Sequence, residues 1–266
     1  MSLPTPEDVA ASKDVLFECV MGGSRVVGIG NDVVVKYGHR VTSTEADTLA
    51  FVGANTTLPV PKLLGSYVHN NVTYIIMSRL PGTPLLKLLS DMSLEEMNVV
   101  TSDLKLMMDQ LRALSITDFE TESYIGSVRR QPCRDMIFRN GYESKGPFST
   151  EEGVYENIFE RWINLFPMPD SYIQFTRRLY QDTSGNHILF THGDLNPRNI
   201  LVEGGHVSGI IDWEESGWYP EYWEYVKTMW GCFDAWETEW PLEVVKFLRP
   251  YDYVRLLDLP LRTAFQ

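Results

Sequence analysis

Apolar positions along this chain follow a two-residue period through the first eighty residues and a helical period through most of the remainder. Val26-Val27-Gly28-Ile29-Gly30 and Val33-Val34-Val35-Lys36-Tyr37 flank Asn31-Asp32, which predicts two strands joined by a tight turn. Residues 42–52 begin with several N-cap types and predict a helix, and Leu63 to Val68 and Val72 to Ser78 predict two more strands. Arg79-Leu80-Pro81-Gly82-Thr83-Pro84 ends the strand pattern, because prolines deny a ladder its donors, and marks a boundary between residues 79 and 80. Ser93 and Glu96 form a capping box before a helix carrying Met97, Val100, Leu104, Met108 and Leu111. Residues 115 to about 150 have no clear period, which predicts either a functional, partly mobile loop or a segment packed under the helices. Helical periods return around Val154–Ile163 and Tyr172–Tyr180, and Ile188-Leu189-Phe190 predicts a short buried strand. Ile200-Leu201-Val202 and Val207 to Ile211 then flank Gly204-Gly205, a two-residue hairpin signal that sets 203 opposite 206 and therefore 199 opposite 210. Nearer the C-terminus, Pro220 predicts a helix first turn.

Composition narrows the class. The 266 residues are 44% hydrophobic and 22% charged, as expected of a globular chain of one large domain or two lobes. Cys19, Cys133 and Cys232 are odd in number and widely spaced, which points to reduced thiols in a core and away from disulfides or zinc. The first residues lack the basic and apolar stretches of a leader, and no apolar run reaches the roughly 20 residues of a bilayer span. The expectation is a cytoplasmic protein with no membrane attachment and no obligate protein partner. A net charge of −13 argues against nucleic acid. It suits a cationic small molecule, although solubility alone explains it.

The hairpin at 200–211 gathers the candidate chemistry. Asp194 lies five residues before Asn199, and the second strand ends in Ile210-Ile211-Asp212. Magnesium takes oxygen ligands and is commonly held by one or two protein groups plus phosphate oxygens, which an Asn and an Asp on one hairpin supply. Asp-x4-Asn is the spacing of a kinase catalytic loop. Lys36 closes an apolar run, where it either reaches solvent or meets an anion. Glu45 either completes a capping box with Thr42 or pairs with Lys36, a second box from Thr44 and Asp47 leaving it free to do so. His192 reads as a structural histidine.

His192-Gly193-Asp194-Leu195-Asn196-Pro197-Arg198-Asn199-Ile200-Leu201 with Ile210-Ile211-Asp212-Trp213 resembles the aminoglycoside phosphotransferase and choline kinase-like family. Residues 213–227 are similar to fungal-type members. The resemblance implies an α+β, bilobal protein-kinase-like fold. Residues 1–79 would form a nucleotide-binding lobe of antiparallel sheet and one helix, and residues 80–266 a mostly helical lobe with the catalytic hairpin, magnesium site and acceptor site. It further implies Asp194 as the catalytic residue and Asn199 and Asp212 as metal ligands. Lys36 would hold ATP phosphates, set by Glu45. Ser78 and Leu80 would offer backbone contacts to the nucleotide, with Met77 behind it. The implied cofactors are ATP and Mg²⁺, and the reaction moves the γ-phosphoryl group to a hydroxyl of a small molecule, aminoglycoside-, choline- or amino-alcohol-like if cationic.

Four positions depart from the protein-kinase pattern. Met21-Gly22-Gly23-Ser24-Arg25 replaces a Gly-x-Gly-x-x-Gly loop, leaving a short turn whose N–H groups either cover phosphates or form an ordinary β-turn. Gly193 stands where an Arg would meet an activation-loop phosphate, and Asn196 stands in place of a Lys, which turns the reading away from protein substrates. Glu214 replaces a glycine after Asp212, which makes a flip of Asp212 unfavourable. The abbreviated turn keeps a second class open, a degenerate kinase-fold nucleotide-binding protein acting through a partner or through a reaction other than phosphotransfer. Glu224 reads either as a brace behind the 192–194 loop or as an exposed acid. Asp234, Glu237 and Glu239 among Trp230, Trp236 and Trp240 read either as a wall for a cationic acceptor or as a packed helix with an acidic face.

Overall fold

Side-chain parity on the paired strands decides what faces what. The computed structural model describes residues 3–19, 23–140, 143–166, 169–230 and 240–263. Helix α1 (Pro6–Ala11) precedes an antiparallel sheet of β1 (Val15–Glu18), β2 (Arg25–Ile29), β3 (Val33–Gly38), β4 (Leu63–His69) and β5 (Val72–Ser78), in the order β1-β2-β3-β5-β4. Helix α2 (Ser43–Asn55) lies between β3 and β4 in sequence. On one face Val27, Val35, Tyr74 and Ile76 pack with Val9 of α1. On the other, Val34, Ile75 and Met77 join Ala46, Leu49 and Val52 of α2 in the main core. Successive residues alternate faces, so Lys36, two after Val34, lies on the α2 side. Ile29 pairs with Val33, so the turn holds three residues, Gly30 to Asp32.

The prolines after β5 do not end pairing as the sequence predicts. Thr83–Pro84 form a two-residue strand, β6, at the edge of the hairpin strand β10 (Ile200–Glu203). An edge strand needs no ladder donor on its outer side, so Pro84 is tolerated there. Gly82 is required just before it: with φ +109°, a Cβ would lie 2.4 Å from Ser208 Oγ and 2.9 Å from the Val202 carbonyl oxygen.

Helix α3 (Leu94–Arg112) opens with the Ser93–Glu96 capping box. It steadies the hairpin tip, since Asp103 accepts the Val207 N–H at 3.0 Å. Residues 115–150, including the short strands β7 (Arg139–Asn140) and β8 (Glu143–Ser144), are irregular but packed: Tyr124, Ile125, Val128, Cys133, Asp135, Ile137 and Phe138 are all buried. Single bridges from Ile125 to Phe148 and from Gly126 to Trp218 satisfy the backbone without any period. Helices α4 (Glu151–Leu165) and α5 (Asp170–Gln181) lead to β9 (Ile188–Thr191), then β10, β11 (His206–Ile210) and β12 (Gly217–Pro220). Pro220 ends β12 opposite Ile188, so it belongs to a strand and not to a helix first turn. Helices α6 (Trp223–Trp230), α7 (Trp240–Phe247) and α8 (Asp252–Thr263) complete the described chain. Trp240 is fully buried against Phe247, which makes it core and not a wall; Asp234, Trp236, Glu237 and Glu239 lie outside the described residues, as does Cys232. Among the described residues no helix is long and apolar enough to cross a membrane.

Candidate active site

The hairpin register is the first thing that positions the site. Glu203 faces His206 across Gly204-Gly205 as expected, but Val202 pairs with Val207 and Leu201 with Gly209, which leaves Ser208 as an extra residue. Ile200 therefore faces Ile210, and the Ile211 N–H reaches the Asn199 carbonyl at 2.9 Å. The bulge moves Asn199 one position nearer Asp212 than an unbroken ladder would. Asp212 comes next but one after Ile210, with φ +64°, a left-handed conformation that few side chains other than Asn and Asp adopt readily.

Asp194 is clasped by two asparagines. Asn196 Nδ2 donates to Oδ1 at 3.0 Å and Asn199 Nδ2 to Oδ2 at 2.8 Å. Both amides also reach the Asp194 carbonyl, so the carboxylate cannot turn without breaking the loop. Burial, helped by the nearby charge of Asp212, pushes its carboxyl up to about 6 against the pull of Lys227 and the two amides.

His192 is structural. The Asp194 N–H donates to Nδ1 at 3.2 Å, which leaves Nε2–H to donate to the Ile211 carbonyl at 3.0 Å. This is a neutral ring, as its burial favours. It ties the Asp194 loop to the residue preceding Asp212. Glu224 on α6, 1% exposed, braces the same loop from behind by accepting the N–H groups of His192 and Gly193. Gly193 needs its missing side chain, since a Cβ at φ +83° would lie 2.7 Å from the Glu215 carbonyl oxygen.

Lys36 meets this loop from the sheet. Its Nζ lies 2.8 Å from Glu45 Oε2, 2.8 Å from Asp212 Oδ1 and 3.1 Å from Glu214 Oε2. Burial opposes the charge, but the three carboxylates outweigh it and hold the ammonium protonated, well above the ordinary lysine range. Glu45 is thus an ion-pair partner and not a cap; the N-cap Thr42 makes no side-chain cap bond. Gln131 flanks this pair: it accepts from Thr44 Oγ1 at 2.8 Å and donates to Asp47 at 3.3 Å, on either side of Glu45.

The sequence-predicted residues Lys36, Glu45, Asp194, Asn199 and Asp212 therefore converge. Ser78 and Leu80 are differently disposed. The Ser78 N–H is bound to the Lys62 carbonyl at 2.9 Å, and the Leu80 side chain overlies Gly209 of the hairpin. Of the Gly-rich turn, Gly22 lies outside the described residues, while the Gly23 carbonyl accepts the Arg40 N–H at 2.9 Å.

Three ionic residues, Arg139, Glu215 and Lys227, are not foreshadowed in the sequence. Glu214 contacts Lys36, and both it and Glu215 contact Arg139 from the irregular segment, at 3.5 and 3.1 Å. Lys227, 3% exposed on α6, pairs with Glu215 at 2.6 Å and lies 3.5 Å from Asp135. No local pattern announces an ion pair between residues this far apart. The only hint is that charged residues interrupt otherwise aromatic stretches.

Comparison with known proteins gives a family. A family model described as phosphotransferase enzyme family matches residues 38–257, which takes in every converging residue except Lys36. No curated protein matches the chain. Among solved structures it is similar to a thermostable variant of the aminoglycoside phosphotransferase APH(4)-Ia in complex with AMP-PNP and hygromycin B, at 17% identity and TM-score 0.65, covering 98% of this chain and 88% of that one. It is also similar to APH(2'')-IIa in complex with gentamicin, at 12% identity and TM-score 0.64, covering 99% and 86%. The macrolide 2'-phosphotransferase MphH from Brachybacterium faecium is similar at 16% identity and TM-score 0.57, covering 94% and 84%. These likenesses establish the bilobal, kinase-like α+β fold. By the match over most of its length, this chain belongs to the phosphotransferase enzyme family.

Proposed function

We propose that the protein is an ATP- and Mg²⁺-dependent small-molecule kinase that moves the γ-phosphoryl group to an acceptor hydroxyl. The observation that carries this reading is the junction at Lys36, where an ammonium from the sheet stands 2.8 Å from both Glu45 of α2 and Asp212 of the hairpin. Three segments far apart in sequence meet there in the arrangement that phosphoryl transfer uses. Structural neighbours in complex with AMP-PNP and with aminoglycosides support a nucleotide donor and a small-molecule acceptor.

In this reading Asp194 takes the acceptor hydroxyl proton and aims the oxygen. That oxygen forms its bond to the γ-phosphorus as the bond to the bridging oxygen breaks, and ADP leaves. The two asparagine amides fix the direction in which the carboxylate points, and positioning of this kind is most of what catalysis of this reaction requires. Asn199 commits its amide nitrogen to Asp194, which leaves its amide oxygen, together with the Asp212 carboxylate, as a hard-oxygen donor set that fits magnesium. Magnesium bound there would neutralise charge on the β- and γ-phosphates. Lys36 would hold phosphate oxygens. Since the Ser78 N–H is already bonded to Lys62, Ser78 would offer only its carbonyl to the nucleotide base, with Leu80 contributing backbone. We place the lobe boundary between residues 79 and 80, and the site of action in the cytoplasm.

The acceptor class is a small hydroxyl compound, aminoglycoside- or amino-alcohol-like in keeping with the net charge of −13. The test is a mass-spectrometric screen for phosphorylated products over amino-alcohols, sugars and aminoglycosides with Mg-ATP. Asp194→Ala and Asp212→Ala should each cost about a thousandfold or more in turnover while leaving the fold intact. Undiminished phosphorylation by Asp212→Ala would overturn the assignment.

A further inference from the structure

The contacts of Lys36 carry a consequence for how the nucleotide enters. An ammonium has three N–H donors, and three carboxylate oxygens stand within 3.1 Å of this one. Asp212 and Glu214 take its hydrogen bonds, and with Lys36 only 7% exposed a phosphate oxygen reaches it by displacing one of these two. Glu45 is the least able to move, with its side chain 3% exposed in the core beneath α2. Asp212 is needed beside the phosphates. Glu214 makes the longest of the three contacts and its side chain is 33% exposed.

Glu214 also has a second place to go. While its Oε2 meets Lys36, its Oε1 lies 3.5 Å from Arg139 Nη2. Arg139 is itself fixed, donating through Nε to the Arg134 carbonyl at 2.7 Å and through Nη2 to Glu215 at 3.1 Å. A small rotation would exchange the Lys36 contact for a closer one to Arg139, with no charge left unpaired.

We propose that Glu214 is a stand-in for a nucleotide phosphate, closing Lys36 until the triphosphate displaces it onto Arg139, so that Glu214 and Arg139 together set nucleotide affinity. The proposal rests on the kinase reading. Displacing a carboxylate costs the Lys36–Glu214 contact and brings like charges together, so removing the Glu214 charge strengthens nucleotide binding. Removing Arg139 strips the displaced carboxylate of its receiver and weakens binding.

Calorimetric titration with Mg-ATP, with no acceptor present, tests this on the full chain. Glu214→Gln, which keeps the shape, should tighten Kd by about two- to fivefold, the scale of one partly exposed charge contact. Arg139→Ala should loosen it by a similar factor. In the Glu214→Gln background Arg139→Ala should have little further effect, because nothing then needs receiving. Wild-type binding that Glu214→Gln leaves unchanged or weakens overturns the proposal and leaves the kinase reading standing. An undiminished Arg139→Ala effect in the Gln background also overturns it, since Arg139 would then act on the nucleotide directly. Failure of both wild type and Glu214→Gln to bind Mg-ATP removes the kinase reading along with the proposal.

Discussion

Glu224 holds the backbone of His192: one carboxylate oxygen accepts its N–H at 2.6 Å, and the other accepts that of Gly193 at 3.1 Å. The loop that delivers Asp194 is thereby fixed from a helix about thirty residues downstream. Glu224→Ala leaves two buried N–H groups without their acceptor. It is expected to cost about 3 kcal/mol of unfolding free energy, the scale of charge-assisted backbone hydrogen bonds, and to lower kcat more than it raises KM. Chemical denaturation and steady-state kinetics check this. A variant with wild-type midpoint and kcat would show that the loop holds itself.

Gln131 spans the two sides of Glu45 on α2, through Thr44 and Asp47. Gln131→Ala is expected to cost about 1 kcal/mol of stability. Because it loosens the helix that sets Lys36 and leaves the Asp194 loop alone, it should raise KM for ATP several-fold with kcat nearly unchanged. A fall in kcat at constant KM would point instead to a role on the acceptor side.

Asp135 is fully buried. It accepts from Arg262 at 2.9 and 3.0 Å and from the Trp223 indole at 3.0 Å, with Lys227 at 3.5 Å and Asp258 paired to the far side of Arg262. Burial alone would raise its carboxyl, but Arg262 and Lys227 outweigh that and hold it far below the usual carboxylate range. A carboxyl depressed in the folded state stabilises fully above its unfolded value, near 3.8, and the benefit is lost as pH falls from there toward the folded value. Acid unfolding should therefore steepen below about pH 4. Asp135→Asn should flatten that slope while losing about 3 kcal/mol at neutral pH, where it takes from Arg262 and Lys227 one counter-charge each and leaves them Asp258 and Glu215. Urea titrations at several pH values read both effects.

What the sequence disclosed was local. The apolar run at 33–37 disclosed β3 and the Lys36 that closes it, the Ser93–Glu96 box fixed the start of α3, and Gly204-Gly205 fixed the hairpin tip, because each depends on neighbours within a few residues. The misreadings share a cause. A bulge at Ser208, an edge strand through Pro84 and a strand ending in Pro220 each answer to a partner segment distant in sequence. The same holds for the charges: Arg262 meets Asp135 across 127 residues, and Glu214 meets Lys36 across 178. Residues 115–150 show no period because their backbone is satisfied by isolated bridges, yet they hold both Gln131 and Arg139.

The extra residue at Ser208 makes the hairpin a measuring device. Between Asn199 and Asp212 the ladder counts five residues out and six back, so the odd one sets which residues end up abreast at the open end. The turn at Gly204-Gly205 lies at the other end of that count. Lengthening the tip would leave the spacing of Asn199 and Asp212 as it is, whereas pairing Ser208 into the ladder would set Asn199 against Ile210 and swing the next carboxylate out of step with Lys36. Variation in this hairpin is thus expected to be free in loop length and strict in the register that sets Asn199 opposite Ile211.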